Sequence, residues 1–468
     1  MTENRGTEYE AQGVYLGTAH GVITPPVGSD LSGFIARTEP MTGVHDDLCV
    51  RAMVWAEDAA LTNAAALVTL DVVDVEARSV AAIRDRIAAL TGIPGEAVGV
   101  TCTHTHGGPA TMATGRLGRC DIDYLDGVCQ TAAETAAAAA RSVASVVMRW
   151  AVGSEPTVGK NRRIPGGIID PAVPVLRYQR LDGTVVALLV SYGCHPVTLG
   201  PNNRLATADY PGYVRRTLEA VYPGAAAQFV TGCCGQVNNG HTARDGDHGQ
   251  GMHWRTFGEA ERIGRAVAGA ALQAAEQAAR LDAALPVTDV PVLPARVRTA
   301  RRIVRLPFLP PPEQAELARL VDGWRTEAEA MARRARLPGE FERLQVFLAW
   351  AEEVRAGHPA GAVDAEVMVL AIGNVSLVLL PGESFVEFGL EIKERSAPRR
   401  VMTLAYANGR PGYIPHRSAY PAGGYEVEEA YRYYGHPTCF APEAGEAIVE
   451  TAIDLVAEVS LATDAATR

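Results

Sequence analysis

The most chemically suggestive stretch of the chain is Thr103-His104-Thr105-His106-Gly107-Gly108-Pro109, which ends an apolar run. In an extended segment residues two apart point to the same side, so His104 and His106 can face one cavity. Gly107 and Gly108 carry no side chain, which lets backbone or a substrate come close. A lone buried histidine is more often a satisfied core residue, but two at this spacing before a Gly-Gly-Pro turn point to a site. A third histidine, His195 in Tyr192-Gly193-Cys194-His195-Pro196, also ends an apolar run. Open α/β sheets put their ligands at such strand ends. Glu383, in Leu379-Leu380-Pro381-Gly382-Glu383, ends another. A carboxylate there must be solvated, paired or bound to metal, because burying it bare is costly.

Two neutral imidazoles and one carboxylate match a catalytic zinc, which accepts nitrogen and oxygen ligands and keeps a position open for water. Magnesium favours more oxygens. Spacing along the chain does not bring His104, His195 and Glu383 together; the elements between them must. Short β-rich runs alternate with helical ones, at 65–75, a helix over about 76–91, a strand over 97–106 and an alanine-rich helix near 131–143. Further strands are expected at 186–196 and 225–234, then a long helix over about 258–280. This rhythm predicts an α/β fold of mixed β-sheets flanked by helices.

Residues 282–310 are rich in Val, Pro and Arg, which reads as a crossover. Two amphipathic helices, about 312–336 and 339–356, are expected to form a hairpin inserted within about 305–360. That insertion is either a lid or a helical layer packed on the sheet. Strands return at 367–381 and 401–409, and a helix over about 442–459 closes the chain. No repeat or low-complexity linker divides it, so one domain over 1–468 is expected.

Composition narrows the function classes. Hydrophobic residues make up 47% and charged residues 21%, an ordinary globular balance. The net charge is -11 and no Lys/Arg-rich run is present, so nucleic acid is not an expected partner. The acidic, polar N-terminus does not resemble a signal peptide, and no stretch reaches the ~18 apolar residues that span a bilayer. No integral membrane association and a cytoplasmic location are therefore expected. The eight cysteines include no CxxC pair, which points to reduced thiols rather than a structural zinc site.

Other polar clusters have blander readings. His45-Asp46-Asp47 leads into a strand and is expected to cap it through a turn. The run 239–253, with His241, Asp245, Asp247, His248 and His253, reads as a polar loop rather than a second metal site. Asp71 and Asp209 are candidates for orienting ligand imidazoles. His20, His358 and His436 are assigned no role.

Five segments together resemble the neutral ceramidase family, in family order and over most of the chain. They are Thr-His-Thr-His-Gly-Gly-Pro, Ile23-Thr24-Pro25-Pro26, Gly43-Val44-His45-Asp46-Asp47-Leu48, Asn161-Arg162-Arg163, and Gly412-Tyr413 after Ala407-Asn408. The resemblance implies a neutral-ceramidase-like catalytic domain with one zinc per chain, held by His104, His195, Glu383 and Tyr413. It also implies that His106 is a proton carrier or anion stabiliser and that Arg162 contacts substrate or transition state. Tyr420 and Tyr425-Glu426 fall at the family's spacing, which makes Tyr425 a hydroxyl donor toward the carbonyl oxygen. Two loops depart from the pattern: Gly235-Gln236-Val237-Asn238-Asn239 replaces Gly-Asp-Val-Ser-Pro-Asn, and Ile414-Pro415-His416-Arg417-Ser418-Ala419 replaces Val-Thr-Thr-Pro-Glu-Glu. Neither the C-terminal β-sandwich domain nor the secretion signal of full-length members is expected.

The resulting expectation is a zinc-dependent hydrolase that cleaves an amide bond of a small or N-acyl substrate, by attack of zinc-bound hydroxide on the carbonyl. Two alternatives stand beside it. One is an ester or lactone hydrolase on the same site; the other is a non-catalytic homologue that only binds a ligand.

Overall fold

Two β-sheets built from buried apolar runs carry the site, in a computed structural model that describes residues 11–113, 116–243, 253–280, 293–331, 333, 339–357 and 361–464. The long strands of the first sheet, in chain order, are β1 (Gln12–Val22), β2 (Cys49–Ala56), β3 (Ala65–Leu70), β4 (Val98–Cys102), β5 (Ala144–Ser154), β6 (Ala172–Gln179), β7 (Val185–Tyr192) and β8 (Ala226–Thr231). Their spatial order is β8-β7-β6-β5-β1-β2-β3-β4, with Leu293–Pro294 added beside β1. The outermost pairs, β7–β8 and β3–β4, are parallel, and the strands between them are antiparallel. Every residue of β3 and β4 is buried, the pattern of strands covered on both faces.

The two ends of this sheet approach each other. Gln228 of β8 donates to Thr69 Oγ1 of β3 at 2.8 Å, and Arg51 of β2 donates to the Ala227 carbonyl at 2.9 Å. A second sheet of β9 (Val297–Pro307), β10 (Ala362–Ile372), β11 (Val375–Leu379) and β12 (Arg400–Leu404) runs in that order, with β11 and β12 parallel. Leu370, Leu379 and Leu404 of this sheet share one apolar cluster with Val68 and Val100 of the first. Three parallel pairs thus converge at their carboxyl ends. Thr231 Oγ1 donates to the Thr103 carbonyl at 2.7 Å, Ala405 N to the Thr231 carbonyl at 2.9 Å, and Cys102 N to the Tyr406 carbonyl at 3.1 Å.

Helices cover the sheets. The alanine-rich helix begins at Ile122 rather than near 131, because Asp121 caps it by accepting from Tyr124 N at 3.1 Å. It lies close on β1, where a Cβ at Gly17 would meet the Ala139 carbonyl oxygen at 1.9 Å. Helix Phe257–Arg280 packs on β5 and β6, and helix Glu443–Asp464 on β9 and β10. Two expectations need correction. Part of the supposed crossover, Val297–Pro307, is strand β9: Val297, Val304 and Leu306 are buried while its arginines reach outward to Glu57 and Glu366. The run 367–381 is a hairpin rather than one strand, turning at Gly373 with φ +57. The segment 282–292 lies outside the described residues.

The inserted helical hairpin comprises Gln314–Met331 and Glu340–Arg355. It buries Leu317, Val321, Trp350, Ala351 and Val354 between its helices, and it packs on the loop carrying Tyr431 and Tyr433. Among the described residues no helix is long and apolar enough to cross a membrane.

Candidate metal centre and adjoining cavity

His104, His195 and Glu383 follow the carboxyl ends of β4, β7 and β11, and the convergence of those ends brings the three side chains together. The pleat argument for His104 and His106 does not hold. Strand β4 ends at Cys102, and His104 takes a left-handed backbone with φ 65, its N–H bonded to the Val72 carbonyl at 3.0 Å. A non-glycine residue in that region is uncommon and costs of order 1–3 kcal/mol. Glu383–Ser384 pairs in parallel with Tyr413–Ile414, which delivers Tyr413 to the same place.

The hydrogen bonds fix which ring nitrogens face the centre. His104 Nδ1 lies 2.7 Å from the Val73 carbonyl, and His195 Nδ1 lies 2.8 Å from the Cys234 carbonyl and 3.1 Å from that of Val237. A carbonyl only accepts, so each Nδ1 carries the proton and each Nε2 presents a lone pair. Those Nε2 atoms sit 3.4 and 2.9 Å from Glu383 Oε2, for His104 and His195 respectively. With both rings neutral, three buried acceptors face one another, an arrangement that a cation resolves. A tetrahedron of zinc bonds of about 2.0–2.1 Å has edges of roughly 3.3 Å, close to these separations. The two-nitrogen, one-oxygen donor set fits zinc and not an all-oxygen magnesium shell.

The charge state agrees. Burial lowers His195 to about 4, so at neutral pH its ring is uncharged. Among the described residues, this is the one group of three or more His, Cys, Asp or Glu arranged to hold an ion.

Around the group, the Tyr413 hydroxyl lies 3.4 Å from His195 Nε2 and accepts from Arg162 Nη2 at 3.0 Å. Arg162 also donates through Nε to Glu426 at 2.8 Å and through Nη2 to the Gly235 carbonyl at 3.0 Å. His106 Nε2 is 3.3 Å from His104 Nε2, and its ring meets Phe34 edge-on. Burial pushes the His106 pKa well below 6.5, leaving it a neutral imidazole at pH 7. The Tyr425 ring is perpendicular to that of Tyr413, with centroids 5.7 Å apart. Arg162, Tyr425, Ile35, Ile164, Tyr433 and Arg343 line a cavity of about 310 Å³, the last supplied by the helical hairpin.

Backbone carbonyls, not Asp71 and Asp209, orient the imidazoles. Asp71 instead takes two bonds from Arg215, at 2.8 and 2.7 Å, and one from Thr103 Oγ1 at 3.1 Å. Asp209 accepts from Leu199 N at 3.1 Å and Tyr210 N at 2.6 Å. His45 bonds Tyr213 at 2.9 Å and stacks on Phe257, and Asp46 accepts from Thr207 Oγ1 at 2.6 Å, so this segment ties loops together. Of the run 239–253, Asp245, Asp247 and His248 lie outside the described residues, as does His358.

Two tyrosines at the centre were not singled out from sequence. Tyr406 stacks on the His104 ring at 3.9 Å and reaches within 3.5 Å of His195 Nε2. It ends the apolar run of β12, so the strand-end reasoning that found His195 also applies to it. Tyr434 donates to Glu383 Oε1, and no local pattern in Tyr433-Tyr434-Gly435 signals this.

No family model matches the chain, and no curated protein matches it in sequence. Its fold, as the motifs led us to expect, is that of solved neutral ceramidases. A ceramidase complexed with C2 superposes with a TM-score of 0.71 over 97% of this chain and 76% of that one, at 17% identity. Neutral ceramidase from Pseudomonas aeruginosa gives 0.70 over 95% and 74%, at 19% identity.

Proposed function

We propose that the chain is a zinc-dependent hydrolase that cleaves the amide bond of a small N-acyl substrate. The observation that carries this reading is the convergence of His104 Nε2, His195 Nε2 and Glu383 Oε2 as three buried acceptors within 4.8 Å of one another. The likeness to structures of ceramidases, in a chain that keeps a carbonyl-hydrolysing donor set, supports it further. In this reading His104, His195, Glu383 and Tyr413 hold one zinc. Bound there, zinc supplies a strong nucleophile from water at neutral pH and polarises a carbonyl.

The chain's own residues do the rest. His106, neutral and next to His104, takes a proton from the attacking water and hands it to the leaving amine. Arg162 holds the Tyr413 hydroxyl toward the centre through its bond at 3.0 Å. Tyr425 stands beside Tyr413 at the cavity wall, where its hydroxyl stabilises charge developing on the carbonyl oxygen. Arg162 and Tyr425 line the adjoining cavity of about 310 Å³, a volume at the small end of ligand sites.

Matched amide and ester substrates sharing one acyl group test the reading. The amide is expected to be hydrolysed, the activity to vanish on chelation, and added zinc to restore it. Turnover of the ester alone would make the protein an esterase or lactonase, and no turnover of either would leave a ligand-binding protein.

A further inference from the structure

Glu383 gives its two oxygens to different neighbours. Oε2 lies 2.9 Å from His195 Nε2 and 3.4 Å from His104 Nε2, while Oε1 accepts from the Tyr434 hydroxyl. That bond leaves one carboxylate oxygen for the centre and fixes the plane of the carboxylate. We propose that Tyr434 is a positioning residue for Glu383, and that the helical hairpin holds Tyr434 in place by gripping Arg432 and His436; this rests on the metal-site reading above.

The Tyr434 ring is clamped on several sides. The Arg410 guanidinium lies 4.3 Å from its centroid and is itself anchored by Nε to Asp74 at 2.8 Å. Tyr413 meets the ring edge-on at 6.2 Å. Gly412, at φ +92, leaves room for it: a Cβ there would come within 2.8 Å of the ring. Two residues before Tyr434, the Arg432 guanidinium sits among four aromatic rings, Phe347 at 4.5 Å, Trp350 at 4.8 Å, Tyr431 at 4.8 Å and Trp324 at 5.3 Å. Three of those rings belong to the hairpin. Two residues after Tyr434, the His436 carbonyl accepts from Trp350 Nε1 at 2.8 Å, and His436 Nε2 lies 2.7 Å from the Pro411 carbonyl. The hairpin therefore holds the chain on both sides of Tyr434. A buried cation enclosed by aromatic faces is a specific latch, since the rings attract charge as well as apolar surface. Groups that orient a ligand from behind typically change metal affinity about 10- to 100-fold when removed.

The test compares wild type, Tyr434→Phe, Arg432→Met and Arg432→Lys. Zinc affinity is read by competition with a chromophoric chelator, ligand geometry by the visible spectrum of the cobalt(II)-loaded protein, and folding by circular dichroism. Tyr434→Phe is expected to keep its fold, bind zinc about 10- to 100-fold more weakly and shift the cobalt spectrum. Arg432→Met should move both readouts in the same direction, and Arg432→Lys should recover part of the loss. A Tyr434→Phe protein with wild-type zinc affinity and an unchanged cobalt spectrum overturns the proposal while leaving the metal site intact. An Arg432→Met protein that loses stability but not zinc affinity removes the hairpin from it. Should Arg432→Met fail to fold, Trp350→Phe, which removes the bond to the His436 carbonyl, takes its place, and unchanged zinc affinity and cobalt spectrum there remove the hairpin from the proposal. Wild type that binds neither metal overturns the metal-site reading itself.

Discussion

Glu383→Gln protein is expected to fold but to purify without zinc, and to hydrolyse nothing above background at equimolar metal. Glutamine keeps the size of the side chain and its ability to accept from Tyr434. It removes the one anion of the His104–His195–Glu383 group, however, and two neutral imidazoles hold a divalent cation poorly on their own. Tyr413→Phe should weaken zinc binding by less, because its hydroxyl, 3.4 Å from His195 Nε2, is an uncharged donor atom where Glu383 supplies the anion. Elemental mass spectrometry on both variants gives the comparison. Stoichiometric zinc in Glu383→Gln would remove the glutamate from the ligand set, and wild-type affinity in Tyr413→Phe would remove the tyrosine.

The second large effect separates chemistry from metal binding. His106→Ala is expected to retain zinc and to lose about 100- to 10,000-fold in kcat, the usual worth of a positioned acid–base group. His106 lies 3.3 Å from His104 Nε2 rather than in the group of three, and burial keeps it neutral at pH 7. Single-turnover rates on zinc-loaded protein isolate the step. Near-normal turnover with metal bound would assign His106 to packing against Phe34 instead.

The strand-end positions of His104, His195 and Glu383 were legible because apolar β-rich runs have a visible end, and parallel strands place ligands there. The reason given for pairing His104 with His106 was not the operative one. The chain leaves β4 at Cys102 and turns through a left-handed residue, a step that alternation along a strand does not contain. The carbonyls of Val73, Cys234 and Val237 that set the imidazole tautomers were illegible, since every residue has a carbonyl and only the path of the loops decides which one arrives. Tyr434 was illegible for the same reason. The hairpin could be read from its amphipathic period, but its grip on Arg432 depends on rings distant in sequence meeting one guanidinium. Strand β9 was obscured by its arginines, which face outward to glutamates of other elements and made the run look like a polar crossover.

The most direct test of the account is the metal content of purified wild type and His104→Ala, measured side by side by elemental mass spectrometry. The account predicts about one zinc per chain in wild type, lost in the variant, as expected when a ligand of a closely held catalytic zinc is removed. Wild type without bound metal, and without hydrolysis after zinc is added, would contradict it and leave a protein that uses this pocket only to bind.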